Sequence, residues 1–181
     1  MNIKDAKAKG LIIVFTGNGK GKTTATMGIA LRATGHRLKV LMVQFIKGGW
    51  HYGELSAYKK LLPYFEIVPM GKGFLNLRKE KINPEHLQAV ADAWKFSRKK
   101  IASGEYDMII LDEINYVIRY HLLPVDEVLE VLRSKPESLH LILTGRDADP
   151  KIVEMADLVT HMEEIKHPFR NGIPAQKGIE F

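Results

Sequence analysis

The chain has 181 residues, 45% hydrophobic and 27% charged, enough for one domain with a full core and of ordinary globular composition. It has no cysteine, which excludes disulfides, thiolate metal sites and cysteine nucleophiles; no apolar run approaches the roughly 20 residues of a bilayer span and residues 1–10 lead into no signal-peptide h-region, so a cytoplasmic protein without a membrane partner is expected. The net charge of +6 and pI near 9.4 favour polyanions, but the basic residues are dispersed and form no stripe interleaved with aromatics, so no nucleic-acid partner is expected.

In chain order, the first apolar run is LIIVFTG (11–17). It leads straight into a glycine-rich turn, and a helix is predicted over 21–34 with Gly35 as its stop. KVLMVQFI (39–46) and FEIVPM (65–70) read as the second and third strands. Asn83-Pro84 is an N-cap followed by a first-turn proline, and predicts a helix over 84–102 that closes before Ser103-Gly104. MIILDE (108–113) is the fourth strand, a helix beginning at a proline follows over 124–133, and HLILTG (140–145) is the fifth strand. Asp149-Pro150 opens a helix over 150–156, and LVTHM (158–162) is a weaker sixth strand. Several strands are apolar on nearly every residue, the pattern of strands covered on both faces. No repeat or linker divides the chain. The expected fold is α/β: a three-layer P-loop (RecA-like) domain with a mostly parallel sheet, spanning residues 1–181.

The turn, TGNGKGKTT (16–24), almost fits the phosphate-loop pattern G-x-x-x-x-G-K-[ST], but Thr16 stands where the first glycine belongs. A strand before it and a helix after it make the motif credible. Backbone N–H groups from Gly17 through Asn18, Gly19, Lys20, Gly21, Lys22 and Thr23 to Thr24 can form a nest around phosphate oxygens at a helix N-terminus. Gly17, Gly19 and Gly21 are expected to accept positive φ and admit the phosphate to the main chain. Lys22 is expected on phosphate oxygens and the Thr23 hydroxyl on Mg²⁺. MIILDE ends a strand in two acids, so Asp112 or Glu113 can hold that metal at the sheet's carboxyl edge.

Other residues leave both readings open. Gln44 and Lys47 of VQFIKGG (43–49) end a strand near the same edge, where a core strand running into a loop is as good an account as a substrate contact. Trp50, Tyr52 and Phe74 could stack on a flat ligand or pack loops. Arg146 could reach phosphate or solvate a turn. The seven histidines have no metal-ligand spacing, and His161 and His167 read as surface groups.

Taken together, FTGNGKGKTT (15–24), VQFIKG (43–48), LDE (111–113), LTGR (143–146) and KHPFRNGIPAQKGIEF (166–181) resemble the ATP:corrinoid adenosyltransferases of the cobalamin pathway, the cob(I)yrinic acid a,c-diamide adenosyltransferases. The segments run nearly end to end. The resemblance implies that the odd Thr16 belongs to a shortened loop in which ATP lies reversed, its γ-phosphate where the α-phosphate of ordinary P-loop proteins sits. It also implies transfer of the 5′-deoxyadenosyl group to a reduced Co(I) corrinoid, with tripolyphosphate leaving and no protein base required. Lys22 would neutralise the leaving group, and Thr23 and Glu113 would hold Mg²⁺. Phe74 matches an aromatic of the family's G-F-x-W segment, thought to help displace the lower axial ligand of the corrinoid; that segment reads GFLN here, with Asn76 in place of the tryptophan. A homodimer and a reductase supplying electrons are further implications. Many members carry an N-terminal helical extension over the corrinoid, whereas ten residues precede the first strand here, which implies that another element closes the site or that it is more open. A kinase or ATPase acting at the γ-phosphate, and a non-catalytic nucleotide- or corrinoid-binding module, are the alternatives. The kinase or ATPase reading leaves the 166–181 segment unexplained.

Overall fold

Strands buried at every position need cover on both faces, and the computed structural model, which describes residues 9–49, 52–73 and 83–181, supplies it. β1 (Ile12–Thr16), β2 (Val40–Gln44) and β4 (Met108–Asp112) are buried along their whole length, and β5 (His140–Thr144) beyond its first residue. β3 (Phe65–Pro69) and β6 (Leu158–His161) form the two edges and lose cover accordingly. The strand order is β3-β2-β4-β5-β1-β6, and every pairing is parallel among the described residues.

Successive side chains on a strand point to opposite faces, and here they feed two cores. Ile12, Val14, Leu41, Val43, Ile109 and Leu111 pack with α3 (Pro84–Ser103), α4 (Ile114–Arg119), α5 (Val125–Ser134) and α6 (Pro150–Met155). Ile13, Phe15, Val40, Met42 and Ile110 face the other way, toward α1 (Lys22–Gly35) and the short stretch made of α2 (Glu54–Ala57) and a 3₁₀ turn (Tyr58–Leu61). The layers are helix, sheet, helix.

The caps act as their residue types predict, with one exception. Asn83 accepts from the Glu85 N–H and Asp149 from the Lys151 N–H, each followed by a proline in the first turn. Gly35, however, stays inside the last turn of α1; the chain leaves the helix at Arg37, whose φ is +62°. The 124–133 helix starts at Val125, with Pro124 in the extended N-cap position. Two short helices, α2 and α4, lack a periodic signal long enough to be legible in the sequence. Among the described residues no helix is long and apolar enough to cross a membrane.

Parallel pairing brings the carboxyl ends of the strands to one edge. Seven polar residues are buried among those described, and five of them, Thr16, Gln44, Asp112, Asn115 and Thr144, lie at or just past those ends. Buried polar groups are kept only where something partners them, so this edge is where a ligand is to be sought.

Candidate functional site

β1 delivers the chain into the glycine loop. Gly17 and Gly21 take positive φ, +92° and +106°, the conformation that glycine adopts without a steric penalty. Gly19 does not; its constraint is steric. A Cβ on Gly19 would lie 2.6 Å from the Glu163 carbonyl oxygen, and one on Gly17 2.4 Å from that of Met162. The Gly19 N–H donates to the Met162 carbonyl at 2.7 Å. The loop is therefore clamped against the chain leaving β6. Lys22 reaches back into the curl and donates from Nζ to the Gly17 and Gly19 carbonyls, both at 2.7 Å. Burial holds its ammonium below the ordinary lysine value, with Glu113 working in the opposite direction. Thr16 contributes a separate tie. Its hydroxyl accepts from the Ala148 N–H at 3.0 Å and joins β1 to the turn after β5. A glycine there could not make that bond.

The two acids of LDE divide the work. Asp112 is fully buried. Its Oδ1 accepts from the Thr23 hydroxyl at 2.9 Å and from the Thr144 hydroxyl at 2.8 Å, and the Gln44 amide nitrogen lies 3.4 Å from Oδ2. Thr144 in turn accepts from the Glu113 N–H at 2.8 Å. Glu113 itself is held at φ +66°. Burial, then the neighbouring Asp112, pushes its carboxyl up to about 7, against Lys22, Lys47 and Arg146. A hydroxyl and two carboxylates form a hard-oxygen donor set with surplus negative charge, which fits Mg²⁺. Among the described residues no group of three or more His, Asp or Glu side chains could hold a metal alone. Phosphate oxygens and water would complete the shell.

A cavity of about 780 Å³ opens over this edge. The glycine loop forms one wall, Lys47 and Glu54 face it, Glu113 and Arg146 form the base, and residues 178–181 close the outside. It is larger than the cavities of about 480 and 550 Å³ beside α5. Lys47 pairs with Glu54 at 2.8 Å and lies 4.9 Å from the Tyr52 ring centre. Burial acts to lower the Lys47 ammonium, but Asp112, Glu54 and Glu113 outweigh it and hold it above its ordinary value.

The sequence has counterparts among known proteins over nearly its whole length. The family model for ATP:corrinoid adenosyltransferase BtuR/CobO/CobP matches residues 8–181. The chain belongs to the ATP:corrinoid adenosyltransferase family. Within that family, a corrinoid adenosyltransferase of Sinorhizobium sp is 42% identical over 175 residues, covering 96% of this chain and 81% of that one. One from Escherichia coli (strain K12) is 39% identical over 173 residues, covering 96% and 86%. Corrinoid adenosyltransferase CobA of Salmonella typhimurium is 38% identical over the same span. Outside the family, the flagellar accessory protein FlaH from Methanocaldococcus jannaschii superposes with a TM-score of 0.51 over 85% of this chain and 71% of that one, at 18% identity. At that identity the likeness is one of fold.

As an adenosyltransferase-family chain, it gathers most of the candidate residues of its sequence. Lys22, Thr23, Glu113, Arg146 and Lys47 share one cavity. Tyr52 is buried beside it; His167 is partly covered and His161 is exposed, with its Cδ2 3.0 Å from where a Cβ on Gly17 would stand. Trp50, Phe74 and Asn76 lie outside the described residues. The family resemblance pairs Thr23 with Glu113 at the metal, yet the acid that Thr23 touches is Asp112. Glu54 carries no signal in the sequence, and Glu180 only its place in the 166–181 segment, because an acid set opposite a loop lysine exists only in three dimensions. Both polar atoms of the buried Asn115 amide lack a hydrogen-bond partner among the described residues, an orphan beside the acids that no motif in the sequence marks.

Proposed function

We propose that this protein transfers the 5′-deoxyadenosyl group of ATP to the Co(I) centre of a corrinoid in cobalamin synthesis and releases tripolyphosphate. The observation that carries the reading is the family match over residues 8–181, joined to a phosphate loop whose Thr23 is bonded to the buried Asp112. The electron pair of Co(I) attacks C5′, a Co–C bond forms, and the C5′–O bond breaks with its electrons passing to the departing tripolyphosphate. No proton moves, so the protein's work is positioning and charge stabilisation. Lys22 and Arg146 are set to neutralise the leaving group, and the amides of Gly17, Asn18 and Lys20 through Thr24 to hold its oxygens with ATP reversed in the loop; the Gly19 N–H, expected in that nest, is donated to the Met162 carbonyl instead. Thr23, Asp112 and Glu113 would hold Mg²⁺, which when bound supplies further positive charge to the triphosphate. Phe74 is the residue we assign to the corrinoid's lower face.

We take residues 1–181 as one adenosyltransferase domain, supported by the single sheet that carries both cores. A homodimer fed by a separate reductase in the cytoplasm completes the reading. The absence of cysteine supports the compartment. The exposed apolar side chains Leu158 and Val159 on edge strand β6, with Ile165 and Phe169 beyond it, support self-association. The test is product analysis with reduced corrinoid, ATP and Mg²⁺. Tripolyphosphate with adenosylated corrinoid is expected; ADP and phosphate alone would show attack at the γ-phosphorus and end the proposal.

A further inference from the structure

The outer wall of the cavity is a turn that phosphate binding does not require. Glu180 anchors it at two points: one carboxylate oxygen accepts from Lys20 Nζ at 2.8 Å, the other from the Gln176 N–H at 2.7 Å. Gly178, at φ +81°, closes the turn by donating its N–H to the Phe181 carbonyl at 2.7 Å. At its far end, the Phe181 carbonyl carbon lies 3.9 Å from where a Cβ on Gly53 would stand. The turn therefore bridges the cavity mouth from the phosphate loop to the start of α2.

The burial pattern inverts the ordinary preference. The Glu180 side chain is 18% exposed, while the adjacent Ile179 is 72% exposed. Solvent would place them the other way round, so the carboxylate is turned inward for the sake of its partner. That partner, Lys20, belongs to the loop that would cradle the triphosphate.

We propose that Glu180 is a positioning residue that latches segment 176–181 to Lys20 and thereby retains ATP in the cavity during turnover. This rests on the reading that nucleotide fills the cavity. Lys20 is 44% exposed, and a pair this accessible shifts an equilibrium by no more than about fivefold. The latch is weak enough to open for entry. Its effect falls on escape, as most affinity changes do.

The experiment is stopped-flow binding of a fluorescent N-methylanthraniloyl-ATP with Mg²⁺ to the wild-type protein and to Glu180→Gln, alongside steady-state kinetics. The glutamine still accepts from Gln176 and keeps the turn. Dissociation from Glu180→Gln is expected to be about 3–5-fold faster with association unchanged. KM for ATP rises by the same factor and kcat is held within about twofold, a split that mere loss of folding would not produce. High salt should narrow the difference by screening the pair. Equal dissociation rates, or tighter binding by the variant because Glu180 competes with phosphate for Lys20, would overturn the latch. A wild-type protein that takes up no analogue would instead overturn the nucleotide reading itself.

Discussion

Glu113 is where the site is least comfortable. It combines a left-handed backbone, a half-buried side chain and a carboxylate neighbour in Asp112. Burial and Asp112 push its carboxyl from 4.5 up to about 7, so across that window the folded protein binds more protons than the unfolded chain. Stability of the metal- and nucleotide-free protein therefore falls as pH rises from 4.5 towards 7 through this group. The full shift is on the order of 3 kcal/mol. Urea midpoints at about pH 5.5 and about pH 8 measure it: the wild type loses more stability over that interval than Glu113→Gln does, and the variant is the more stable at the higher pH. Adenosyl transfer by the variant is expected to fall about 100-fold or more, because the proposed Mg²⁺ site loses a charged ligand. Equal pH slopes in the two proteins would show that the carboxyl is not perturbed. At this scale LDE announces two acids in sequence and cannot rank them. The ranking comes from Thr23 and Thr144, which meet Asp112 only because β1, β4 and β5 lie side by side.

The strands are legible because a doubly covered strand shows as an unbroken apolar run, and the caps because Asn-Pro and Asp-Pro carry their own local chemistry. The elements that leave no such mark, α2 and α4, are held by what they pack against: Ile114 and Val117 of α4 are fully buried in the core. Local caps are testable locally. Asn83→Ala removes the acceptor for the Glu85 N–H and should cost about 1 kcal/mol, read as a lowered thermal midpoint with unchanged activity. The glycine loop predicts the opposite signature. Gly19→Ala sets a Cβ 2.6 Å from the Glu163 carbonyl, and either the loop or the chain after β6 must move. A displacement approaching 1 Å costs about 100-fold in rate, so transfer collapses while the far-ultraviolet circular dichroism spectrum is kept. Full activity in Gly19→Ala would mean that the loop is not clamped at Met162 and Glu163.

For the molecule as a whole, the site lies at the one edge where the buried strands end together, so a ligand there stabilises the sheet against global unfolding and not just a loop. Ligand at about 100 times its dissociation constant adds about 2.7 kcal/mol. For a chain of this size that is a rise of about 5–10 °C in the thermal midpoint. In the proposed reading the loop's amides, Lys22 and Arg146 all address phosphate, which places most of the binding energy on the triphosphate. Tripolyphosphate with Mg²⁺ should therefore give most of the shift that ATP gives, and adenosine almost none. A positive net charge of +6 could attract any polyanion without a site, and Gly19→Ala separates the two, since it leaves the charge intact and distorts the loop. The shift should vanish in that variant. A shift that survives it, or one that adenosine reproduces, would move the binding energy away from the phosphate loop and leave the reversed seating of ATP without support.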